Sequence, residues 1–185
     1  MADSEFPNRK TDRLRLGRKS ATGAIYFLTC VTAQRVPWLK PQKIREQIRA
    51  SFVKFHRQNG GELLTGVVMP DHVHLIVSLD GALTIGQWVA RFKSQSMRAT
   101  GFSGKWQRDF WEHRIRPRES IEDYGLYVFL NPYRAELIGS EKAWPGWWSA
   151  ESDCFRFQQH LHNGVPPKEW VRDWDEKFSE LQVGE

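Results

Sequence analysis

Residues 69–77, MPDHVHLIV, decide how this chain folds. Side chains of a β-strand point alternately to its two faces, so a strand over residues 72–79 separates two sets of residues. His72 and His74 share one face. The other face is apolar and consists of Val73, Leu75, Val77 and Leu79. The pattern therefore predicts a strand that packs its apolar side on helices and presents two imidazoles on the open side of a sheet.

The sequence on either side of this strand predicts an ordered series of elements. Strands are expected at residues 24–31, 63–69, 72–79 and 106–115, with Pro70-Asp71 as the turn of a hairpin. Helices are expected from Pro41 to the Asn59-Gly60-Gly61 stop, from Thr84 to about Thr100, and from Ser120 toward Leu130. The order β-α-β-β-α-β-α is that of a ferredoxin-like α+β fold, an antiparallel sheet with helices packed on one face.

Two segments flank this predicted domain of residues 21–140. Residues 1–20 are rich in Arg and Lys, and we interpret them as a flexible basic arm. Residues 141–185 contain a dense set of tryptophans. We expect them to form an irregular Trp-rich tail that packs on the domain, because large aromatic side chains usually bury their surface.

The bulk composition restricts the class of protein. The chain has 185 residues, of which 40% are hydrophobic and 26% are charged, and this suits one globular domain. A formal net charge of +5 favours a polyanionic partner. Cys30 and Cys154 lack metal-ligand spacing, and no apolar stretch is long enough to cross a bilayer. We therefore expect a cytoplasmic protein with no membrane partner.

His72 and His74 are candidate metal ligands. Neutral imidazole is the commonest metal ligand in proteins, and two imidazoles at positions i and i+2 of a strand form half of a divalent-metal site. A His-x-His pair in a strand also occurs as two ordinary histidines. The pattern therefore favours a metal site only where a third ligand is found.

The predicted third helix supplies that ligand and a nucleophile. Tyr127 and Asn131 are four residues apart and share one helix face. Pro132 lacks an amide hydrogen and disfavours helical geometry at Asn131, so we expect the helix to kink or end there. An amide oxygen suits a hard cation such as Mg²⁺ or Mn²⁺. A tyrosine hydroxyl beside such a cation is able to attack a phosphodiester.

Several segments, taken in order, resemble the single-tyrosine (Y1) transposases of the HUH endonuclease superfamily, in particular the REP-associated tyrosine transposases of the IS200-like branch. The segments are 26–29 (YFLT) with 35–37 (RVP), 67–74 (VVMPDHVH), 106–116 (WQRDFWEHRIR), 127–137 (YVFLNPYRAEL) and 144–149 (WPGWWS). The resemblance extends over about residues 20–170. The histidine pair alone is a weak signal, whereas the ordered set is specific.

The resemblance implies a metal-dependent single-strand DNA endonuclease and transposase associated with the nucleoid. Tyr127 would be the nucleophile that forms a covalent phosphotyrosine. His72 and His74 would bind Mg²⁺ or Mn²⁺, with Asn131 in the third-ligand position. The substrate would be single-stranded DNA folded into a REP-like palindromic hairpin, which a monomer or homodimer cuts and rejoins.

Two positions on the third helix qualify this interpretation. Phe129 stands where many relatives carry a polar residue, which leaves the site assignment intact but removes any accessory acid-base role at that position. Tyr124, one turn before Tyr127, is a rival nucleophile.

A basic stretch over residues 91–118 is expected to contact DNA. Its Lys and Arg side chains would bind phosphates, and its tryptophans would stack on unpaired bases. The predicted contacts are Arg91, Lys93, Arg98, Lys105, Arg108, Arg114, Arg116, Arg118, Trp106 and Trp111.

Three alternatives stay open from the sequence. The first is a catalytically silent DNA-hairpin binding protein, against which the full set of predicted catalytic residues argues. The second is an unrelated metal hydrolase with a His-x-His site, which needs carboxylate ligands near the histidines. The third is an RNA-binding ferredoxin-like domain, which needs exposed aromatic residues on the sheet face.

Overall fold

A computed structural model describes residues 22–56, 60–151, 154–172 and 178–184. The strands are β1 (Ile25–Val31), β2 (Gly61–Val68), β3 (His72–Leu79), β4 (Trp111–Ile115) and β5 (Trp147–Ser149). The α-helices are α1 (Gln42–Phe55), α2 (Ile85–Ala99), α3 (Ile121–Arg134) and α4 (Glu169–Arg172). The predicted basic arm, residues 1–20, lies outside the described residues, as does Asn59 of the predicted stop after the first helix.

The strands form one antiparallel sheet in the order β4-β1-β3-β2-β5. β3 lies at its centre, and its register with β1 places Thr29 opposite His74. The predicted hairpin of β2 and β3 and the predicted α+β class are confirmed. The predicted N-terminus of α2 is also confirmed, because Thr84 and Gln87 form a reciprocal capping box.

The helices cover both faces of the sheet, which corrects the expectation that they pack on one face. α1 and α2 cover the apolar face of β3, and Phe52 and Trp88 are fully buried there against Leu75 and Val77. α3 lies on the opposite face, in a second core with Phe27 and Ile76. The histidine face of β3 is therefore not open, because α3 is packed across it.

α3 is also longer than predicted, because it continues through Pro132 to Arg134. Proline removes one hydrogen bond to the preceding turn. The helix nevertheless continues, since the Ala135 N–H donates to the carbonyl of Asn131 at 3.0 Å. All residues from Tyr124 to Tyr133 are buried. This burial on every side stabilises a helix that local propensity alone would end.

β4 is shorter than predicted, since it begins at Trp111 and not at Trp106. Residues 107–109 turn their carbonyls toward α2, where Lys93 Nζ donates to the oxygens of Gln107 (2.8 Å) and Asp109 (2.9 Å). Those carbonyls are therefore satisfied by a lysine and not by a neighbouring strand.

The C-terminal segment is more regular than predicted. β5 pairs with β2 and extends the sheet, and Trp144 Nε1 donates to the carbonyl of Val68 at 3.0 Å. Farther along, Phe155 and Phe178 are buried against the outer side of α3. No helix among the described residues is long and apolar enough to cross a membrane.

Candidate active site

A cavity of about 360 Å³ lies between β3 and the C-terminal half of α3. Two elements remote in sequence form most of it, together with the end of β1 and the chain near the C-terminus. The lining residues are Thr29, Arg35, Met69, His72, His74, Tyr127, Asn131, Arg134, Ala135 and Gly184. The cavity thus contains all four residues predicted to carry the chemistry.

The two histidines face each other with their ring nitrogens. Nε2 of His72 and Nε2 of His74 are 3.1 Å apart. Nδ1 of His72 hydrogen-bonds to the Asp71 carboxylate at 2.7 Å, and Nδ1 of His74 to Thr29 Oγ1 at 3.0 Å. Each imidazole is therefore oriented by a partner on Nδ1, which directs Nε2 into the cavity. This arrangement is typical of metal-binding histidines, whose other nitrogen is tied by an outer partner.

Electrostatics keep these groups in states that suit metal binding. Burial, and then the nearby charges of His72, Arg134 and Arg35, hold the pKa of His74 well below its usual range, so its ring is neutral at pH 7. The hydrogen bond from His72 lowers the pKa of Asp71, and Arg35 adds to this effect with an ion pair at 3.1 Å. Asp71 is thus an ionised acceptor for the N–H at Nδ1 of His72, and in the neutral ring this leaves the Nε2 lone pair available to a metal.

Tyr127 lies beside this histidine pair. Its ring packs edge-on against His74, with 5.6 Å between ring centroids, and is only 2% exposed. Arg134, two helical turns later, places Nη1 3.5 Å from the tyrosine hydroxyl. Phe178 packs on the same ring from the C-terminal segment at 5.9 Å.

Tyr124, the rival nucleophile, lies in a different environment. Its hydroxyl accepts a hydrogen bond from the Gln182 backbone N–H at 3.3 Å and is 3.5 Å from the Glu119 carboxylate. Its ring stacks on His113. Burial raises the pKa of Tyr124. The hydroxyl does not line the cavity, so the geometry favours Tyr127.

The donor set fits a divalent cation. Nδ2 of Asn131 is buried and has no hydrogen-bond partner among the described residues, and rotating the amide by half a turn puts Oδ1 in the same place. Two neighbouring ligands of an octahedral ion, each at about 2.1 Å, lie roughly 3.0 Å apart, close to the spacing of the two Nε2 atoms. Within the described part of the chain, no three His, Cys, Asp or Glu residues cluster to hold a metal. Among the described residues that line the cavity, the Asn131 amide is thus the candidate for a third protein ligand beside the two imidazoles.

The sequence interpretation missed several lining residues. Arg134 is three residues beyond Asn131 and seven beyond Tyr127, so helical spacing was a usable signal for it. Thr29 was predictable from its register with His74 only once β1 and β3 were paired. Arg35 belongs to a segment that carries part of the family resemblance, but local sequence does not place it at the cavity, because its approach depends on a turn in which Gln34 and Arg35 both have positive φ, 56° and 53°.

The predicted DNA contacts lie in separate places. Arg114, Arg116 and Arg118 are exposed and surround one open surface depression near the end of β4. Arg98 lines another depression, between α1 and α2. Arg91, Lys105 and Arg108 are exposed elsewhere. The structure therefore brings three of the predicted basic residues into one group.

Three of the predicted contacts have partners within the protein. Lys93 is occupied by backbone carbonyls, and burial lowers its pKa, so its position indicates a structural role. Trp106 donates through Nε1 to Ser96 Oγ at 3.0 Å and packs on Trp38. Trp111 is half-buried, with its ring edge-on to Phe27 at 5.9 Å.

The chain is similar to a family of known transposases. The family model described as "Transposase IS200 like" matches residues 20–115, slightly more than half of the chain. A REP-associated tyrosine transposase of Escherichia coli (strain K12) is 26% identical over 129 residues, covering 69% of this chain and 73% of that protein. A putative REP-associated tyrosine transposase of Haemophilus influenzae (strain ATCC 51907 / DSM 11121 / KW20 / Rd) is 27% identical over 176 residues, covering 87% of this chain and 95% of that protein.

A solved structure gives the same result for the fold. The structure of a REP-associated tyrosine transposase bound to a REP hairpin superposes with a TM-score of 0.60 at 26% identity, covering 83% of this chain and 88% of that one. The resemblance to REP-associated tyrosine transposases predicted from the sequence is confirmed. The chain belongs to the IS200-like transposase family.

Proposed function

We propose that this protein is a metal-dependent endonuclease and strand-transfer enzyme for single-stranded DNA, and that it cuts and rejoins REP-like palindromic hairpins. One observation carries the proposal. Tyr127 and Asn131 on α3 line the same cavity as His72 and His74 on β3, with the tyrosine ring in contact with His74. A nucleophile next to a candidate metal site suits metal-assisted phosphoryl transfer through a covalent intermediate.

Tyr127 acts as the nucleophile in this proposal. Its Oη attacks the scissile phosphorus, so an Oη–P bond forms while the bond from phosphorus to the 3′ oxygen of the preceding nucleotide breaks. The phenolic proton leaves Oη, and the departing 3′ oxygen takes up a proton. The phosphotyrosine bond conserves the energy of the phosphodiester, so a 3′-hydroxyl is able to attack it and rejoin a strand without ATP.

His72, His74 and Asn131 would hold Mg²⁺ or Mn²⁺. When bound, the cation supplies Lewis-acid polarisation of the scissile phosphate. Thr29 and Asp71 orient the two imidazoles through their Nδ1 atoms. Imidazole nitrogens are softer ligands than oxygens, so this donor set suits Mn²⁺ at least as well as Mg²⁺.

A DNA hairpin is supported as the partner by two observations. The similar transposase of known structure is bound to a REP hairpin. This chain places Arg114, Arg116 and Arg118 around one exposed depression, where they suit the phosphates of a duplex stem. The turn that carries them is held by Glu119, whose carboxylate accepts from the Arg116 N–H at 2.7 Å.

The test is a denaturing-gel assay on labelled single-stranded hairpins taken from palindromes that flank the gene. Wild type with Mg²⁺ or Mn²⁺ is expected to yield a nick and a protein–DNA adduct. Both products should disappear in Tyr127→Phe and on adding EDTA. Tyr124→Phe is the matched control and should keep cutting, because its hydroxyl lies outside the cavity. Hairpins that are bound but never cut would instead establish the catalytically silent binding protein.

A further inference from the structure

We propose that Arg134 and Arg35 form a clamp that holds the non-bridging oxygens of the scissile phosphate over Tyr127. This inference deepens the proposed function and rests on it. It assigns a substrate contact to two residues outside the predicted metal site.

Arg134 approaches the reacting atom directly. It lies in the last turn of α3, on the face shared by Tyr127 and Asn131. Its Nη1 is 3.5 Å from the tyrosine hydroxyl, and the residue is exposed at the cavity wall. A phosphorus atom in line with that hydroxyl would carry its non-bridging oxygens within reach of the guanidinium. Arginine suits this task because its planar group donates two parallel hydrogen bonds to a phosphate.

Arg35 lines the same cavity from the segment after β1. Its Nη1 donates to Asp71 Oδ2 at 3.1 Å, while Asp71 Oδ1 accepts from His72. The Arg35 side chain is 50% exposed, so its ion pair fixes one part of the guanidinium and leaves surface toward the cavity. Arg35 is thereby coupled to the orientation of His72.

The backbone that presents Arg35 is unusual. Gln34 and Arg35 have φ values of 56° and 53°, in the left-handed region that non-glycine residues rarely adopt. Such conformations persist where surrounding structure enforces them, and they concentrate at ligand sites. Here the Ala33 N–H donates to the carbonyl of Lys105 at 2.8 Å, which anchors the turn. An arginine at a strained position beside the cavity is consistent with a binding role.

The charge balance of the cavity supports the same ligand. Among the described residues that line it, Arg35 and Arg134 are cations and none is a carboxylate. The nearby Asp71 is already engaged by His72 and Arg35. Two guanidinium groups at the cavity wall attract an anion, and a phosphodiester carries one negative charge on the non-bridging oxygens of the phosphorus that Tyr127 attacks.

The clamp predicts that two groups of arginines have different roles, one in the cleavage step and the other in hairpin binding. Arg35 and Arg134 act on one phosphate at the reaction centre, so their loss should slow cleavage more than it weakens hairpin binding. Arg114, Arg116 and Arg118 lie around a separate depression, so their loss should weaken binding and reduce its salt dependence.

The experiment measures single-turnover cleavage of the hairpin that wild type cuts, with a normal phosphodiester or a neutral methylphosphonate at the cleaved position. Arg134→Gln and Arg35→Gln are compared with Arg49→Gln, an exposed arginine on α1 outside the cavity. Arg134→Gln should slow phosphodiester cleavage by about 100-fold, the typical effect of removing one donor to a developing oxyanion. On the methylphosphonate its deficit should shrink to a few-fold, because the charge it contacts is missing. Arg134→Lys should recover part of the rate.

Hairpin affinity of each variant reports whether it is folded, and it should stay near that of wild type. An equal loss on both substrates, or no loss on the phosphodiester, would overturn the clamp while leaving Tyr127 as nucleophile. A wild-type protein that binds the hairpin but cuts neither substrate would instead overturn the proposed function, and the clamp with it.

Discussion

Nε2 of His72 and Nε2 of His74 lie 3.1 Å apart, and each ring is fixed through Nδ1 by its own partner. In the neutral form of His72, the hydrogen bond to Asp71 keeps the proton on Nδ1, so the facing nitrogen of that ring carries a lone pair. His74 either donates an N–H to this lone pair or, with its proton toward Thr29, presents a second lone pair beside it. The second state is the one that a cation stabilises.

Divalent cations should therefore raise the thermal stability of the protein. A cation at about 100 times its Kd adds about 2.7 kcal/mol to the free energy of unfolding. For a chain of this size that corresponds to roughly 5–10 °C in Tm. Differential scanning calorimetry with Mn²⁺ and with Mg²⁺ measures the shift. His74→Ala and Asn131→Ala should lose most of it, and an undiminished shift in both variants would place the metal elsewhere.

Thr29 should tune metal affinity without touching the metal. Its hydroxyl is 3.0 Å from Nδ1 of His74 and is buried at 2% exposure. Thr29→Val removes this partner while keeping the shape, and losing such an outer partner typically weakens metal binding about 10–100-fold. Isothermal titration with Mn²⁺ measures the change. Thr29→Ser keeps the hydroxyl and should bind nearly as wild type does, so equal weakening in both variants would contradict the orienting role.

The strand pattern and the helical spacing were sufficient to predict much of this site. Alternation in β3 predicted that His72 and His74 share a face, and the four-residue spacing in α3 predicted that Tyr127 and Asn131 do. The structure brings both pairs to one cavity. Whether these residues bind a metal and attack DNA stays a prediction that the assays above test.

Other features depend on contacts between distant residues and could not be predicted locally. The segment after Trp106 has a strand-like sequence, but Lys93 of α2 captures its carbonyls. Pro132 is a local stop signal, but the sheet on one side and the C-terminal segment on the other stabilise the helix across it. One signal was available, since residues 124–133 are nearly all apolar or aromatic, and a helix apolar all round is covered on both sides.

Cys30 should make stability fall at alkaline pH. The thiol is completely buried, and burial raises its pKa from 9.0 to about 11. Between these values the unfolded thiol ionises while the folded one stays protonated, so the native state loses stability as pH rises from about 9 to 11. Urea unfolding of wild type and Cys30→Ala across this range measures it. Wild type should lose up to roughly 2–3 kcal/mol more than the variant, and parallel profiles would refute the assignment.

A glycine substitution in the strained turn beside the cavity should slightly raise the stability of the protein. Gln34 is exposed with φ 56°, and a left-handed conformation costs a non-glycine residue about 1–2 kcal/mol. Glycine removes this cost. It also gives the unfolded chain more conformational freedom, which lowers the stability of the fold by roughly 0.4–1 kcal/mol. Gln34→Gly should therefore be slightly more stable than wild type in urea unfolding and should cut DNA normally. Arg35→Gly also loses the ion pair to Asp71 and should cleave slowly, whereas a marked loss of stability in Gln34→Gly would show that the turn is not strained.

The C-terminal residues should limit access to the cavity. Gly184 lines it and its backbone lies against the ring of Trp111, while Phe178 packs on Tyr127. Removing the whole C-terminal segment from Trp144 onward would also remove β5 and the hydrogen bond to Val68. Such a truncation would damage the sheet, and its effect on DNA binding would not report access to the cavity alone. A stop after Glu180 instead removes Gly184 and keeps Phe178 in place.

This shorter chain should associate with the hairpin a few-fold faster than the full chain does, because DNA no longer has to displace residues from the cavity rim. Stopped-flow fluorescence with a labelled hairpin measures the association rate, and circular dichroism checks that the fold is kept. A Gln182→Ala variant of the full chain is the control. Gln182 contacts Tyr124 through its backbone N–H, so this variant should associate as wild type does. An unchanged association rate in the shortened chain would mean that these residues do not limit the access of DNA to the cavity.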